Sequence, residues 1–135
     1  MYFPAKDKEG IFRVGVAVSS SPVGPFKAED EDRRYFEGPW MHKYNGLYYL
    51  SYSTGTTHYV VYATGTDPMG PFTYRGRILE PVLGWTTHHS IIEYHGKWYL
   101  FYHDCELSNG INHRRSVKYV ELEYNEDGTI KTICP

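Results

Sequence analysis

The chain has 135 residues, enough for one domain, and its 41% apolar and 22% charged residues are ordinary for a globular protein. A net charge of −2 argues against nucleic acid or an anionic membrane as a partner, and no stretch has the apolar length of a membrane span. Because residues 1–3 already have strand character, no signal peptide is predicted, and a soluble protein of unknown compartment is expected.

Two segments of the chain recur in the same order. The residues at 21–26 (Ser-Pro-Val-Gly-Pro-Phe) return at 67–72 as Asp-Pro-Met-Gly-Pro-Phe, and those at 44–50 (Tyr-Asn-Gly-Leu-Tyr-Tyr-Leu) return at 94–100 as Tyr-His-Gly-Lys-Trp-Tyr-Leu. Self-similarity at a spacing of about 40–50 residues is typical of modular arrays whose units pack against their neighbours. The 14 tyrosines favour half-buried strand positions, so the repeats predict an all-β protein.

Strand patterns follow one another in hairpins along the chain. Asn45-Gly46 and His95-Gly96 each separate two strands and are strong hairpin signals. The predicted strands are 12–18, 41–44, 47–53, 59–64, 72–79, 90–94, 97–103, 116–122 and 129–133. Four antiparallel strands per unit are typical of a β-propeller blade. We therefore predict one partial propeller domain of about two and a half blades, in which part of a blade lies at 1–29, one blade at 37–79 and another at 87–133.

Two segments stand where the innermost strand of a blade begins, which is where propellers usually bind ligands. They are 35–40 (Tyr-Phe-Glu-Gly-Pro-Trp) and 84–90 (Gly-Trp-Thr-Thr-His-His-Ser). Each holds a titratable residue among aromatic rings, an environment that raises the pKa of a carboxyl and suits it for general-acid chemistry. Cys105 and Cys134 are too few for a disulfide framework and are predicted to be free thiols.

The order of these motifs resembles glycoside hydrolase family 43. Glu37-Gly38-Pro39 leads into an inner strand, His88-x-Ser90 follows one blade later, and 97–103 (Lys-Trp-Tyr-Leu-Phe-Tyr-His) comes next. The resemblance covers essentially the whole chain, including the Pro-x-Gly-Pro-Phe turns. It implies a five-bladed propeller of the β-xylosidase, α-L-arabinofuranosidase and arabinanase group. Such an enzyme hydrolyses O-glycosidic bonds of arabinose- or xylose-containing glycans with inversion of configuration.

The resemblance also assigns roles to single residues. Glu37 matches the general acid, and His88 matches a channel histidine that orients the site, in some members through a water on a bound calcium ion. Hydrolysis is expected to need no cofactor, and calcium in the channel would be structural. The expected substrate contacts are Tyr35, Trp40, Trp85 and His89.

Each of these assignments has a structural alternative. Glu37 could be a solvated residue before a turn, and either histidine could be a core residue satisfied by hydrogen bonds. Buried packing is an equally good explanation for the two tryptophans. His89 is predicted to face away from His88, because neighbouring residues of a strand alternate in orientation. If Glu37 and His88 do form the site, they should approach one another across a shared channel.

The chain departs from the family in its carboxylates. The resemblance implies a base in a first blade, ahead of this sequence, and an aspartate in an Asp-Pro context that tunes the acid. The only Asp-Pro here, Asp67-Pro68, lies in the outer turn repeat. Asp30, Glu31 and Asp32 could replace the missing aspartate, although such a charge run is typical of a solvated loop.

Three hypotheses for function remain open. The chain could be a glycosidase completed by something outside it, a non-catalytic carbohydrate-binding module, or a truncated inactive product. Fewer than three blades cannot close a ring, so open blade edges are expected to promote self-association.

Overall fold

The computed structural model describes residues 31–135 in full and, before them, the backbone of three strands. The described parts contain ten β-strands and a short 3₁₀ helix at Glu106–Ser108. The strands are β1 (Tyr2–Lys6), β2 (Phe12–Val18), β3 (Ser21–Pro22), β4 (Tyr35–Tyr44), β5 (Leu47–Thr54), β6 (Val60–Gly65), β7 (Thr73–Leu79), β8 (Ser90–Tyr94), β9 (Lys97–Asp104) and β10 (Ser116–Leu122).

The strands form three sheets that follow one another along the chain. Their strand orders are β1-β2-β3, β4-β5-β6-β7 and β10-β9-β8, and the pairings within each sheet are antiparallel. The all-β prediction, with blades in sequence order, is confirmed. The second sheet is a complete four-stranded blade. The rest of the predicted first part-blade, including the turn at 23–26, lies outside the described residues.

The two predicted hairpin turns form because of their sequences. Asn45 and Gly46 have φ values of 44° and 81°, and His95 and Gly96 have φ values of 51° and 77°. A two-residue hairpin turn of this type requires positive φ at both positions, which asparagine and glycine adopt at little cost. The turns fix the register of β4 with β5 and of β8 with β9.

The third blade differs from the prediction, because it has three strands and not four. After β10 the chain turns back, and 129–133 contributes two isolated bridges, one between Tyr124 and Ile130 and one between Leu79 and Ile133. Leu79 belongs to β7, so the end of the chain lies against the outer strand of the preceding sheet. Tyr62 explains this path, since its buried hydroxyl accepts a hydrogen bond from the Ile130 N–H at 2.8 Å.

The core lies between the second and third sheets. Alternate residues of the two facing strands β5 and β9 point into it, including Tyr49, Leu100 and Tyr102. The Trp40 indole N–H crosses from β4 to the Ile91 carbonyl at 3.1 Å, and β4 lies beside β8. This packing places the beginning of β4 next to the segment that leads into β8, where both candidate segments lie.

The other face of the third sheet is open. Val117 and Tyr119 on β10 are 77% and 69% exposed. Cys105 is buried, Cys134 is exposed, and both are free thiols, as predicted. Within the described part of the chain, no helix has the length and apolar character needed to cross a membrane.

Candidate functional site

A bulge in β4 sets the position of Glu37. Glu37 pairs with Ser53, but the next pair is Trp40 with Ser51, so two residues of β4 lie opposite a single residue of β5. Gly38 lies in this bulge at a φ of 64°, in the left-handed region that favours glycine. A bulge bends its strand and redirects the neighbouring side chain. Here it accompanies a Glu37 carboxylate that is 33% exposed and therefore open to solvent.

Two residues of the neighbouring blade contact the Glu37 carboxylate. The Thr86 hydroxyl donates a hydrogen bond to Oε1. The His88 Nε2 lies 3.3 Å from Oε2, and the His88 side chain is 57% exposed. The expected approach of Glu37 and His88 is confirmed as a contact, and it lies at the surface, where a ligand has access.

The pKa of Glu37 is lower than usual, contrary to the sequence-based expectation. Burial raises it, as predicted, but this effect is outweighed. Hydrogen bonds from Thr86 and His88, and the positive charges of His88 and Arg115, stabilise the carboxylate form. The expectation was wrong because it considered only the aromatic surroundings.

The segment that carries Thr86 and His88 is fixed from both sides. The Ser53 hydroxyl of β5 donates to the Thr87 carbonyl. On the other side, the Thr87 hydroxyl donates to the His103 carbonyl at 2.8 Å and accepts from the His103 N–H at 3.0 Å. Thr87 is fully buried, so its flanking residues have little freedom to shift.

Two further residues complete the polar cluster around Glu37. His103, near the end of β9, accepts a hydrogen bond at Nε2 from the His88 N–H at 3.0 Å. The Arg115 Nη1 lies 3.0 Å from the same nitrogen, and its Nε donates to the Asn112 carbonyl at 2.8 Å. Glu37, Thr86, His88, His103 and Arg115 are called the acid cluster below.

Sequence reasoning missed three members of the acid cluster. No sequence pattern gave Arg115 a role, and His103 was only the last residue of the 97–103 strand motif. Thr86 lies within a candidate segment but was given no role. The alternation of β9 places His103 on the face opposite Leu100 and Tyr102, which is the one signal that could have separated it from the core.

Two of the predicted substrate contacts belong to the core. His89 is buried, and its Nε2 lies 2.7 Å from the Ser51 hydroxyl. Trp40 packs on the core between the sheets. Both residues therefore pack as their structural alternatives predict. The prediction that His89 faces away from His88 is confirmed.

The other two predicted contacts, Tyr35 and Trp85, are nearer the surface. Trp85 is 47% exposed, and its ring meets those of Phe36 and His58 edge-on, at centroid distances of 6.3 and 4.7 Å. Tyr35 is half-buried against the Tyr52 ring, and burial together with the charge of Glu37 raises its pKa. Trp85 directly precedes Thr86 in the chain.

The described acidic residues proposed to replace the missing aspartate, Glu31 and Asp32, pair with arginines. Glu31 pairs with Arg34 at 2.8 Å, and Asp32 pairs with Arg77 at 3.0 Å. Asp30 lies outside the described residues. Asp32 therefore contacts β7 through Arg77, and both side chains are exposed, as their solvated-loop alternative predicts.

The described residues alone do not supply a direct calcium site. Nowhere among the described residues do three or more histidine, cysteine, aspartate or glutamate side chains form a group that could hold a metal. His88 is directed at Glu37, and calcium prefers six to eight oxygen ligands.

Comparison with known proteins identifies the family. The profile of Glycosyl hydrolases family 43 matches residues 27–130. The xylosidase/arabinosidase 43A of Humicola insolens is 68% identical over 111 residues, which are 82% of this chain and 34% of that protein. The chain thus spans about a third of the length of the curated relatives that it matches most strongly.

Solved structures agree in sequence and in fold. A GH43_1 enzyme from Xanthomonas citri, complexed with xylotriose, is 58% identical with a TM-score of 0.79, over 82% of this chain and 34% of that one. A β-xylosidase/α-arabinofuranosidase from a compost metagenome, described as a calcium-free form, is 41% identical with a TM-score of 0.74, over 98% of this chain and 69% of that one. The chain belongs to glycoside hydrolase family 43.

Proposed function

We propose that this chain carries the general-acid side of an inverting glycosidase that acts on xylose- or arabinose-containing glycans. The observation that supports this most directly is the solvent-accessible Glu37 carboxylate, held by Thr86 and His88. Relatives named for xylosidase and arabinosidase or arabinofuranosidase activity, one of them solved with xylotriose, support the substrate class. Nucleic acid and membrane have no part in the proposal.

In the proposed reaction Glu37 protonates the oxygen of the leaving sugar. Water attacks the anomeric carbon from the opposite face while a second carboxylate accepts a proton from that water. Inverting enzymes hold the two carboxyls roughly 6.5–9.5 Å apart to admit that water. We propose that the base comes from the part of the family fold that this chain does not span.

A further carboxylate near Glu37 is needed for acid chemistry at neutral pH. With its pKa lowered by Thr86, His88 and Arg115, Glu37 is ionised and has no proton to donate. A like charge placed beside it raises the pKa of a carboxyl, often by more than one unit. We propose that an aspartate from the rest of the fold has this role, as the family resemblance implies.

Trp85 and Tyr35 remain the proposed sugar contacts. The exposed Trp85 indole, one residue before Thr86, offers an apolar face to the C–H groups of a sugar ring, and Tyr35, whose pKa the Glu37 charge raises, adds a hydroxyl. His88 would meet a channel calcium only through a water, and no step is assigned to that ion.

A non-catalytic carbohydrate-binding role is the alternative, and the low pKa of Glu37 favours it for the isolated chain. A chimera separates the catalytic role from the binding role. In it, this chain's residues replace the matched segment of the Humicola insolens relative. The chimera should hydrolyse nitrophenyl β-xyloside or nitrophenyl α-L-arabinofuranoside as well as xylobiose, and Glu37→Gln should nearly abolish the hydrolysis of xylobiose, whose leaving group needs a proton.

Glu126→Gln is the matched control, because it neutralises an exposed carboxylate in a distant turn. The isolated chain should be inactive with either sugar, since an acid without its base recovers little rate. A folded chimera that binds xylotriose but hydrolyses neither substrate would support the binding role instead.

A further inference from the structure

The recurring Pro-x-Gly-Pro-Phe turn, which the proposed function does not use, forms one wall of a surface groove. The turn is closed by the Gly70 N–H, which donates to the Asp67 carbonyl at 3.0 Å before the chain enters β7. The groove, called the Arg75 groove below, has a volume of about 300 Å³. Its walls are Thr64, Gly65 and Thr66 on one side and Pro71, Thr73 and Arg75 on the other. A cavity of this volume is large enough for a small ligand.

The Arg75 groove lies at the opposite end of the second blade from the acid cluster. On β5, Ser53 pairs with Glu37, whereas Tyr48 pairs with Gly65 in the groove wall. Five residues of strand separate Ser53 from Tyr48, a distance of about 17 Å. Gly65 allows the turn to approach, because a Cβ atom there would lie 2.8 Å from the Pro71 carbonyl oxygen. The groove is therefore a site of its own and not an extension of the acid cluster.

One cation and three hydroxyl groups line the Arg75 groove. The exposed Arg75 donates a hydrogen bond from Nε to the Thr64 hydroxyl at 3.0 Å, which orients the guanidinium plane. A guanidinium has five N–H donors. Within the described part of the chain, the four donors on the two Nη atoms of Arg75 have no hydrogen-bond partner. Thr66 and Thr73, both exposed, supply the other two hydroxyls.

The carboxylates near the Arg75 groove are already bound within their own turns. Hydrogen bonds from Thr129 lower the pKa of Asp127, and the positive charge of Arg75 adds to this effect. The Thr129 hydroxyl and N–H lie 2.6 and 2.9 Å from Asp127 Oδ1. Asp67 likewise accepts a hydrogen bond from the Met69 N–H at 2.8 Å. The Nη atoms of Arg75 are therefore available to an anion from outside the chain.

We propose that the Arg75 groove binds the carboxylate of an acidic sugar, such as a uronic acid unit of a glycan. A guanidinium recognises a carboxylate through two parallel N–H···O hydrogen bonds. The hydroxyls of Thr66 and Thr73 then serve the hydroxyl groups of the sugar, while Leu47 and Pro71 offer apolar surface to its C–H groups. The sugar part of this assignment rests on the proposed function, whereas the carboxylate part rests on Arg75 alone.

The test follows the binding of three probes to the labelled 135-residue chain by NMR, at constant sodium concentration. Glucuronate has both a carboxylate and a sugar ring, whereas acetate has only the first and xylose only the second. Arg75→Gln removes the guanidinium, and Thr73→Val removes one hydroxyl while keeping the shape of the side chain. Arg114→Gln is the matched control, because it removes an exposed arginine from the loop before β10.

Glucuronate should shift the backbone amide signals of residues 64–66 and 73–75 until they saturate, and it should bind more tightly than acetate or xylose. Arg75→Gln should weaken glucuronate binding by at least about tenfold, the effect of losing a hydrogen bond to a charged group. Thr73→Val should weaken it by about fivefold, the effect of losing one neutral hydrogen bond. Arg114→Gln should bind glucuronate like the native chain.

Glucuronate shifts confined to other residues, or equal affinities of the native and Arg75→Gln chains, would overturn the proposal. Acetate that binds as tightly as glucuronate would refute the sugar part, and xylose that does so would refute the carboxylate part. If Arg75→Gln does not fold, the comparison of the three probes and the Thr73→Val chain still decide. Inactivity of the chimera would refute the proposed function without changing any of these signals.

Discussion

The chemistry of Glu37 depends on a few residues that the fold brings together. Its motif and its contact with His88 could be predicted from the order of Glu-Gly-Pro and His-x-Ser along the chain. The sign of its pKa shift could not, because Thr86 and Arg115 reach it only through the packing of two blades. His103 was hidden for the same reason, since its partners come from two other segments.

Replacing Thr86 tests how far its hydrogen bond lowers the pKa of Glu37. Thr86→Val removes the hydrogen bond to Oε1 while keeping the shape of the side chain, so the pKa of Glu37 should rise towards its ordinary value. The carboxyl carbon shift in an NMR pH titration measures this. Thr66→Val, at an exposed position, is the control. An unchanged Glu37 pKa in Thr86→Val would show that the Thr86 hydroxyl does not lower that pKa.

At the scale of elements, the hairpins and the order of the sheets followed from Asn-Gly, His-Gly and the repeated segments. The predicted fourth strand of the last blade was wrong, because the sequence pattern does not show what a returning segment will pair with. Tyr49 and Tyr62 hold the returning segment in place. The Tyr49 hydroxyl donates a hydrogen bond to the Gly128 carbonyl, and the Tyr62 hydroxyl accepts one from the Ile130 N–H.

Tyr62→Phe tests that anchor of the C-terminal segment. The change leaves the buried Ile130 N–H without its partner, and an unsatisfied buried donor costs about 1–3 kcal/mol. Urea unfolding should show a loss of stability in that range. Tyr119→Phe, on the open face, should change the stability little. Equal effects of the two substitutions would mean that the segment is not held by Tyr62.

Two buried histidines make the sheet interface sensitive to acid. Burial lowers the pKa of His42 to about 4, and burial followed by the charges of His42 and His88 lowers that of His89 to about 3. The unfolded chain takes up these protons near pH 6.5. Their contribution to stability is therefore complete above that pH and is lost progressively as the pH falls towards the two folded values.

The free energy of unfolding should accordingly decrease from pH 6.5 to pH 4.5. Each histidine contributes a slope of about 1.4 kcal/mol per pH unit. His42→Phe keeps an aromatic ring between Tyr49 and Trp98 and should make the dependence shallower. His113→Phe, at an exposed site, should preserve the native slope. Urea titrations at several pH values measure it, and identical slopes in both variants would contradict the account.

At the scale of the whole molecule, the chain shows part of a family fold with one apolar sheet face open. The number of blades followed from the repeat length, and the family from the motif order. No sequence pattern, however, reports what covers Val117 and Tyr119. We expect the chain to self-associate through this face, because exposed apolar sheet surface favours association.

Val117→Lys should reduce that association. Light scattering over a dilution series should give a smaller mean mass for the variant than for the native chain at the same concentration. Glu126→Gln changes the net charge by the same amount at a distant position and should associate like the native chain. A native chain that stays monomeric at high concentration would show that the open face does not drive association.

The central claim is that Glu37 donates a proton to the leaving oxygen, and the dependence on the leaving group tests it most directly. In the chimera, Glu37→Gln should slow hydrolysis of xylobiose far more than hydrolysis of nitrophenyl β-xyloside, because nitrophenolate departs without a proton. The difference between the two losses should be at least about 100-fold, the lower end of what a general acid contributes. Equal losses with both substrates would contradict the assignment of Glu37 as the general acid.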